Sequence, residues 1–200
     1  MEKQQINISL LTNRPVLKAI FERRDQKTFS STPIEKATVE TLLTAATWAP
    51  NHKLTEPWRF TVIFPNKRDE FINIYTQGLI RLANDNKELE KAQLKAEKIK
   101  HDFSQIPLFI AAAYQTNPDA TLSTENLITA SCGLQNMLLA AEEFGIGAHW
   151  GSGKATKTKI VQEYFGFKKD QAFLGLFQMG YTRTKGRMKR SPLKHFVTYK

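Results

Sequence analysis

The sequence predicts an α+β fold, because helical and strand-like periods alternate along the chain and neither dominates. Helical spacing covers residues 13–24, 87–103 and 124–144, while short apolar or β-branched runs cover residues 58–64, 107–114 and 172–179. The 200 residues suffice for a sizeable core and suit one domain more simply than two small lobes. Residues 14–199 are expected to form its body and residues 1–13 an N-terminal arm.

Each element has its own signal. Residues 13–24 place Val16, Leu17, Ile20 and Phe21 on one helical face, ahead of the polar turn Arg23-Arg24-Asp25-Gln26-Lys27. A second helix carries Val39, Leu42, Leu43 and Ala46 at core spacing. Thr32-Pro33-Ile34-Glu35 fits a capping box at its start, although a start two or three residues later fits equally well. Residues 58–64 are aromatic and β-branched, and Pro65-Asn66 closes them. Residues 87–103 line up Leu89, Ala92, Ala96, Ile99 and Phe103 among lysines and glutamates, as a surface helix or a lid would. Residues 107–114 are apolar throughout, as in a strand covered on both faces.

Residues 124–144 are nearly uncharged from Leu127 to Ala141, which predicts a central helix opened by a Ser/Thr cap and stopped at Gly145-Ile146-Gly147. Residues 157–164 read as a helix before the 172–179 strand. Residues 195–199 are β-prone but too short to be stable without an existing sheet edge, either the chain's own or a partner's.

Composition excludes several function classes. With 41% hydrophobic and 24% charged residues and no apolar run of about 18 residues, the chain reads as soluble, with no membrane partner. No signal-peptide pattern occurs near Met1, so a cytoplasmic location is expected. The single cysteine, Cys132, rules out an internal disulfide and is expected in the core. His52, His101, His149 and His195 are too scattered for a zinc helix, and no metal is expected. Ser152 has no nucleophile-elbow context. Gly151-Ser152-Gly153-Lys154-Ala155 fails as a P-loop at both ends, where Ala148 and Ala155 stand. A net charge of +10 favours anionic partners of any kind.

What remains suits a planar, phosphorylated cofactor. Arg23, Arg24 and Lys27 cluster after a helix, where guanidinium and ammonium groups can hold a phosphate. Trp48, His52, Trp58 and Trp150 offer flat surfaces and donors, and Gly151 to Gly153 let backbone approach a ligand.

The order is helix, Arg23-Arg24-x-x-Lys27, helix, then Ala49-Pro50-Asn51-His52-Lys53-x-x-x-Pro57-Trp58-x-Phe60. A long apolar helix follows, containing Gln135-Asn136-Met137-Leu138-Leu139-Ala140-Ala141, and then Gly145-x-Gly147 and Trp150. In that order the chain resembles the nitroreductase family of flavin-dependent reductases, over nearly its whole length. The resemblance implies a central, mostly antiparallel sheet flanked by helices, in a homodimer whose subunits exchange terminal segments and hold FMN between them. It assigns Arg23, Arg24 and Asp25 to the phosphate and Lys27 to the flavin pyrimidine, where Lys27 would be an electrostatic helper. Trp48 and His52 would reach the neighbouring subunit's FMN, and Trp150, Gly151 and Ser152 would form a second contact. Lys189 and Arg190 would add a phosphate contact from the 183–190 run. Ala140, Ala141, Glu142, Glu143, Phe144 and Gly145 correspond to a nicotinamide-nucleotide segment.

Three departures from the family pattern stand out. Asp25 replaces the usual Ser and is expected to face an arginine; Glu56 replaces Gln; and Trp48 replaces Arg. The implied activity is oxidation of NADH or NADPH through FMN, with reduction of nitroaromatics, quinones or activated alkenes in ping-pong order and no catalytic side chain. Two alternatives are a flavin-binding sensor or scavenger without turnover, and a basic nucleic-acid-binding domain.

Overall fold

The computed structural model describes residues 14–182 and 190–200. Four strands, β1 (Trp58–Ile63), β2 (Leu108–Gln115), β3 (Ile146–Gly151) and β4 (Gln171–Tyr181), form one sheet in the order β1-β2-β4-β3. Every pairing between them is antiparallel. Strand β2 lies in the middle, and its alternation divides the core. Leu108, Ile110 and Ala112 point into one apolar cluster, while Phe109 and Ala111 point into the other.

The first cluster is covered by α2 (Lys36–Thr47) and α5 (Ala120–Glu143). The second is covered by α3 (Pro65–Ile80), α4 (Asn86–Ser104) and α6 (Lys159–Phe165). The result is helices on both faces of a central antiparallel sheet, as the sequence implied.

Sequence and structure part at several elements. Helix α1 (Pro15–Glu22) is shorter than residues 13–24, and its expected apolar face is open, with Val16 66% exposed and only Ala19 buried. Helix α2 takes the later of its two possible starts, after Glu35. Helix α3 was not foreseen, because Pro65 reads as the end of a strand. Here it occupies the first turn of a helix, where its missing N–H costs nothing, and Phe71, Ile72, Tyr75 and Leu79 face the core. Burial pushes the Tyr75 phenol above its ordinary pKa.

Helix α5 begins earlier than residue 124, capped by Asp119, whose side chain accepts from the Leu122 N–H. One face of α5 is core, but Leu127, Ile128 and Cys132 are exposed, which corrects the expectation of a core cysteine. Gly145, with φ at +67°, ends the helical stretch as expected. Strand β3 was not foreseen beyond the helix stop at Gly145-Ile146-Gly147; it pairs with β4 from Ile146 to Gly151. Residues 195–199 join no sheet edge of their own chain: Leu193–His195 form a 3-10 turn, and Phe196 and Tyr199 are exposed. Among the described residues, no helix is long and apolar enough to cross a membrane.

Phe109 is fully buried, with ring centroids 5.1 Å from both Phe71 and Phe103. Phe109→Ala is expected to destabilise the fold by about 3–5 kcal/mol, read as a shift in the denaturant midpoint at constant slope.

Candidate functional site

The turn after α1 is the centre of the site. The chain leaves α1 at Arg23 and immediately lies parallel to β3, forming an isolated bridge between Asp25 and Ala148. The Gln26 N–H donates to the Ala148 carbonyl at 2.9 Å. Gly147 makes the approach possible, since a Cβ there would come within 2.9 Å of the Gln26 side chain and 2.8 Å of Thr182. Gln26 is itself buried, so the turn is anchored while the residues around it project outward.

The charged side chains divide their work. Arg24 Nη1 donates to the carbonyls of Phe21 at 2.7 Å and Arg23 at 2.8 Å, capping the end of α1. Arg23 is different: its Nε is buried and, among the described residues, has no hydrogen-bond partner. A buried guanidinium N–H without an acceptor is costly, and an incoming anion would relieve it.

Asp25 does not face an arginine. Both of its oxygens lie beside His149 Nδ1, at 2.8 and 3.0 Å, and since the carboxylate accepts, Nδ1 carries the proton. His149 was not singled out from the sequence. No local signal could have found it, because its partner is 124 positions away.

Lys27 and His149 open onto a cleft of about 560 Å³ between the turn, β3, β4 and the end of α4. Its floor is Phe29, Phe103 and Ile106, and Lys98, His101, Asp102, Gln105 and Gln178 complete the wall. An apolar floor with a mostly cationic and amide rim suits a planar ring bearing acceptor atoms.

Beside it on β3, Trp150 lies across Gly175 and against Phe177, ring centroids 5.1 Å apart, and donates from Nε1 to the Leu174 carbonyl at 3.2 Å. Gly151 ends the strand and Ser152 follows it, exposed. The structure therefore brings Asp25, Lys27 and Gly151 around His149, with Arg23 and Arg24 in the same turn, whereas Trp150, packed on Phe177, lies on the opposite face of β3 from the cleft.

Other sequence-selected residues lie elsewhere. Trp48, 82% exposed, borders a separate apolar groove of about 350 Å³ with Val16, Asn136, Leu139 and Ala140. His52 Nε2 is 3.6 Å from a Glu125 oxygen near the start of α5. His52 sits in a strained turn: Lys53, Leu54 and Glu56 all have positive φ, at 53°, 51° and 44°. The Asn51 and Asn126 side chains brace the turn through Thr55, at 3.1 and 2.7 Å.

At the end of α5, Ala141 is core, and Glu142 and Glu143 face a cleft with Glu22 and Lys18. That excess of carboxylates opposes a pyrophosphate. Arg190 is exposed, and Lys189 lies outside the described residues. Among the described residues, no group of three or more His, Cys, Asp or Glu is placed to hold a metal ion.

The sequence model described as the Nitroreductase family matches residues 20–181. The chain belongs to the nitroreductase family. A Bacillus subtilis protein named "Putative NAD(P)H nitroreductase YfhC" is 28% identical over 181 residues, covering 90% of this chain and 91% of its own. The solved structure of a nitroreductase-like family protein from Bacillus cereus is 25% identical, with a TM-score of 0.82 over 92% of this chain and 95% of that one. A nitroreductase with bound FMN from Bacteroides fragilis is 20% identical and superposes with a TM-score of 0.67 over 92% of this chain and 97% of its own, a likeness of fold. The docked arginine turn is held by Gly147. Gly147→Val is expected to release it, raising amide exchange at Gln26 at least about tenfold while β2 amides stay protected.

Proposed function

We propose that this nitroreductase is an FMN-dependent oxidoreductase that takes reducing equivalents from NADH or NADPH and passes them to nitroaromatic, quinone or activated-alkene acceptors. The observation that carries the reading is the cationic turn docked on β3, in which Arg23 keeps a buried Nε without an acceptor among the described residues, beside Lys27 and the 560 Å³ cleft. These donors fit a flavin whose phosphate lies against Arg23 and whose ring faces the cleft. The misfit is Asp25, a carboxylate in the phosphate-facing turn that is hydrogen-bonded by His149 Nδ1 at 2.8 Å. FMN when bound would supply the hydride and electron-transfer chemistry.

The chain's own residues bind, orient and tune. Arg23 supplies charge and directed N–H groups to the phosphate, with Arg24 stiffening the turn behind it. Lys27, at the mouth of the cleft, is the ammonium available to negative charge on the ring's pyrimidine side. Gly151 lies on the β3 side beside His149 Nε2. Among residues 140–145, exposed Phe144 offers apolar surface to a nicotinamide, whereas Glu142 and Glu143 repel its phosphates.

One chain leaves the site incomplete, because Trp48 and His52 lie apart from the turn. Val16, Ile20, Trp48, Leu127 and Ile128 expose an apolar surface along α1, α2 and α5 that a second copy would cover. We read the protein as a homodimer in which Trp48 and His52 reach the partner's cofactor, and light scattering should return twice the 22.8 kDa of one chain.

The purified protein should be yellow and should bleach on anaerobic addition of NADPH. Arg23→Ala should weaken FMN binding about tenfold or more, as loss of a charge-assisted pair would. With a quinone acceptor, double-reciprocal lines should run parallel. Intersecting lines would contradict the ping-pong order, and bleaching without quinone turnover would leave a flavin-binding sensor or scavenger.

A further inference from the structure

Asp25 is the one carboxylate in the Arg23 to Lys27 turn, and it stands between the arginines assigned above to the flavin phosphate and the lysine assigned to the ring. Left alone, it would oppose that phosphate by like-charge repulsion. It is not alone: both of its oxygens are within 3.0 Å of His149 Nδ1, from a ring that is 22% exposed and fixed on β3.

A neutral imidazole gives Asp25 a hydrogen bond but leaves its charge, whereas an imidazolium cancels it. Protonation also makes Nε2 a second donor. That atom lies 3.4 Å from where a Cβ on Gly151 would stand, so it points along β3 toward the Gly151-Ser152 stretch. Histidine is the side chain that ordinarily changes charge near physiological pH.

We infer that Asp25 and His149 form a proton-linked charge switch on the cofactor's phosphate, so that uptake of one proton by His149 selects FMN over the phosphate-free riboflavin. The inference rests on the flavin reading above and deepens it.

The groups around His149 allow this role. Asp25 and Lys27 face it from the turn, Gln178 from β4, and Lys98, His101 and Asp102 from α4. Lys98 is tied to Asp102 at 2.7 Å, so the α4 carboxylate has its own cation and does not compete for the imidazole. His149 takes its proton from solvent, and proton uptake on binding means that FMN affinity rises as pH falls. The second ionisation of the FMN phosphate, with a pKa near about 6, strengthens its attraction to cations as pH rises. It therefore works against the switch and cannot imitate it.

The test is flavin-fluorescence quenching by the full chain, stripped of flavin, with FMN and with riboflavin between about pH 6 and 8. In the wild type, the preference for FMN over riboflavin should fall about tenfold across that range, the effect of one unit of coupling. Asp25→Ser should keep a high preference at every pH, and Asp25→Asn, which keeps the shape, should do the same. His149→Leu should show a low preference throughout, read as the FMN-to-riboflavin affinity ratio so that any change in ring binding cancels. A wild-type preference that follows Asp25→Ser across the range, or a His149→Leu profile matching the wild type, would overturn the switch alone. Quenching by neither flavin at any pH would overturn the flavin reading and the switch with it.

Discussion

The site depends on one contact: five residues of irregular chain lying edge-on against β3, held by the Gln26 N–H to Ala148 carbonyl bond at 2.9 Å and by the missing side chain at Gly147. Because Gln26 is buried there, the residues on either side cannot turn inward. Asp25 and Lys27 are presented along the sheet edge next to His149, with Arg23 in the same turn. A turn of this composition floating free would spread its charges through solvent; fixed on a strand, it becomes a rigid set of donors, which is what recognition of a phosphate needs.

The rest of the fold supplies rigidity and leaves surface open in particular places. Strand β2, buried on both faces, ties the two apolar clusters together, and β4 hands that rigidity to β3. Rigid strands are a better platform for a cofactor than loops. The apolar face of α1 and the outer side of α5, by contrast, are left open by the described residues, which is why the proposed site is read as one shared between two copies.

Much of the fold could be read from the sequence, for physical reasons that differ by element. The β2 run is apolar at every position because both faces are covered, and α4 displays its stripe because one face is wet. Helix α3 was hidden because Pro65 is compatible with ending a strand and with starting a helix, and only the packing of Phe71, Tyr75 and Leu79 decides. Strand β3 was hidden because Gly147 and Gly151 suggest a turn, while their function is to let other groups approach the strand. In the site, the Arg23, Arg24 and Lys27 cluster was legible since its members are neighbours in sequence. Asp25 looked like an unexplained departure until the fold placed His149 against it, a pairing that no local pattern encodes.

On the reading proposed above, the docked turn is a phosphate cradle in which Arg23 Nε, buried and without an acceptor among the described residues, meets the phosphate. A crystal structure of the FMN-reconstituted protein tests it most directly. The account predicts a phosphate oxygen within hydrogen-bonding reach of Arg23 and the ring in the cleft beside Lys27. A phosphate seated away from the turn, with Arg23 Nε still lacking an acceptor, would contradict it.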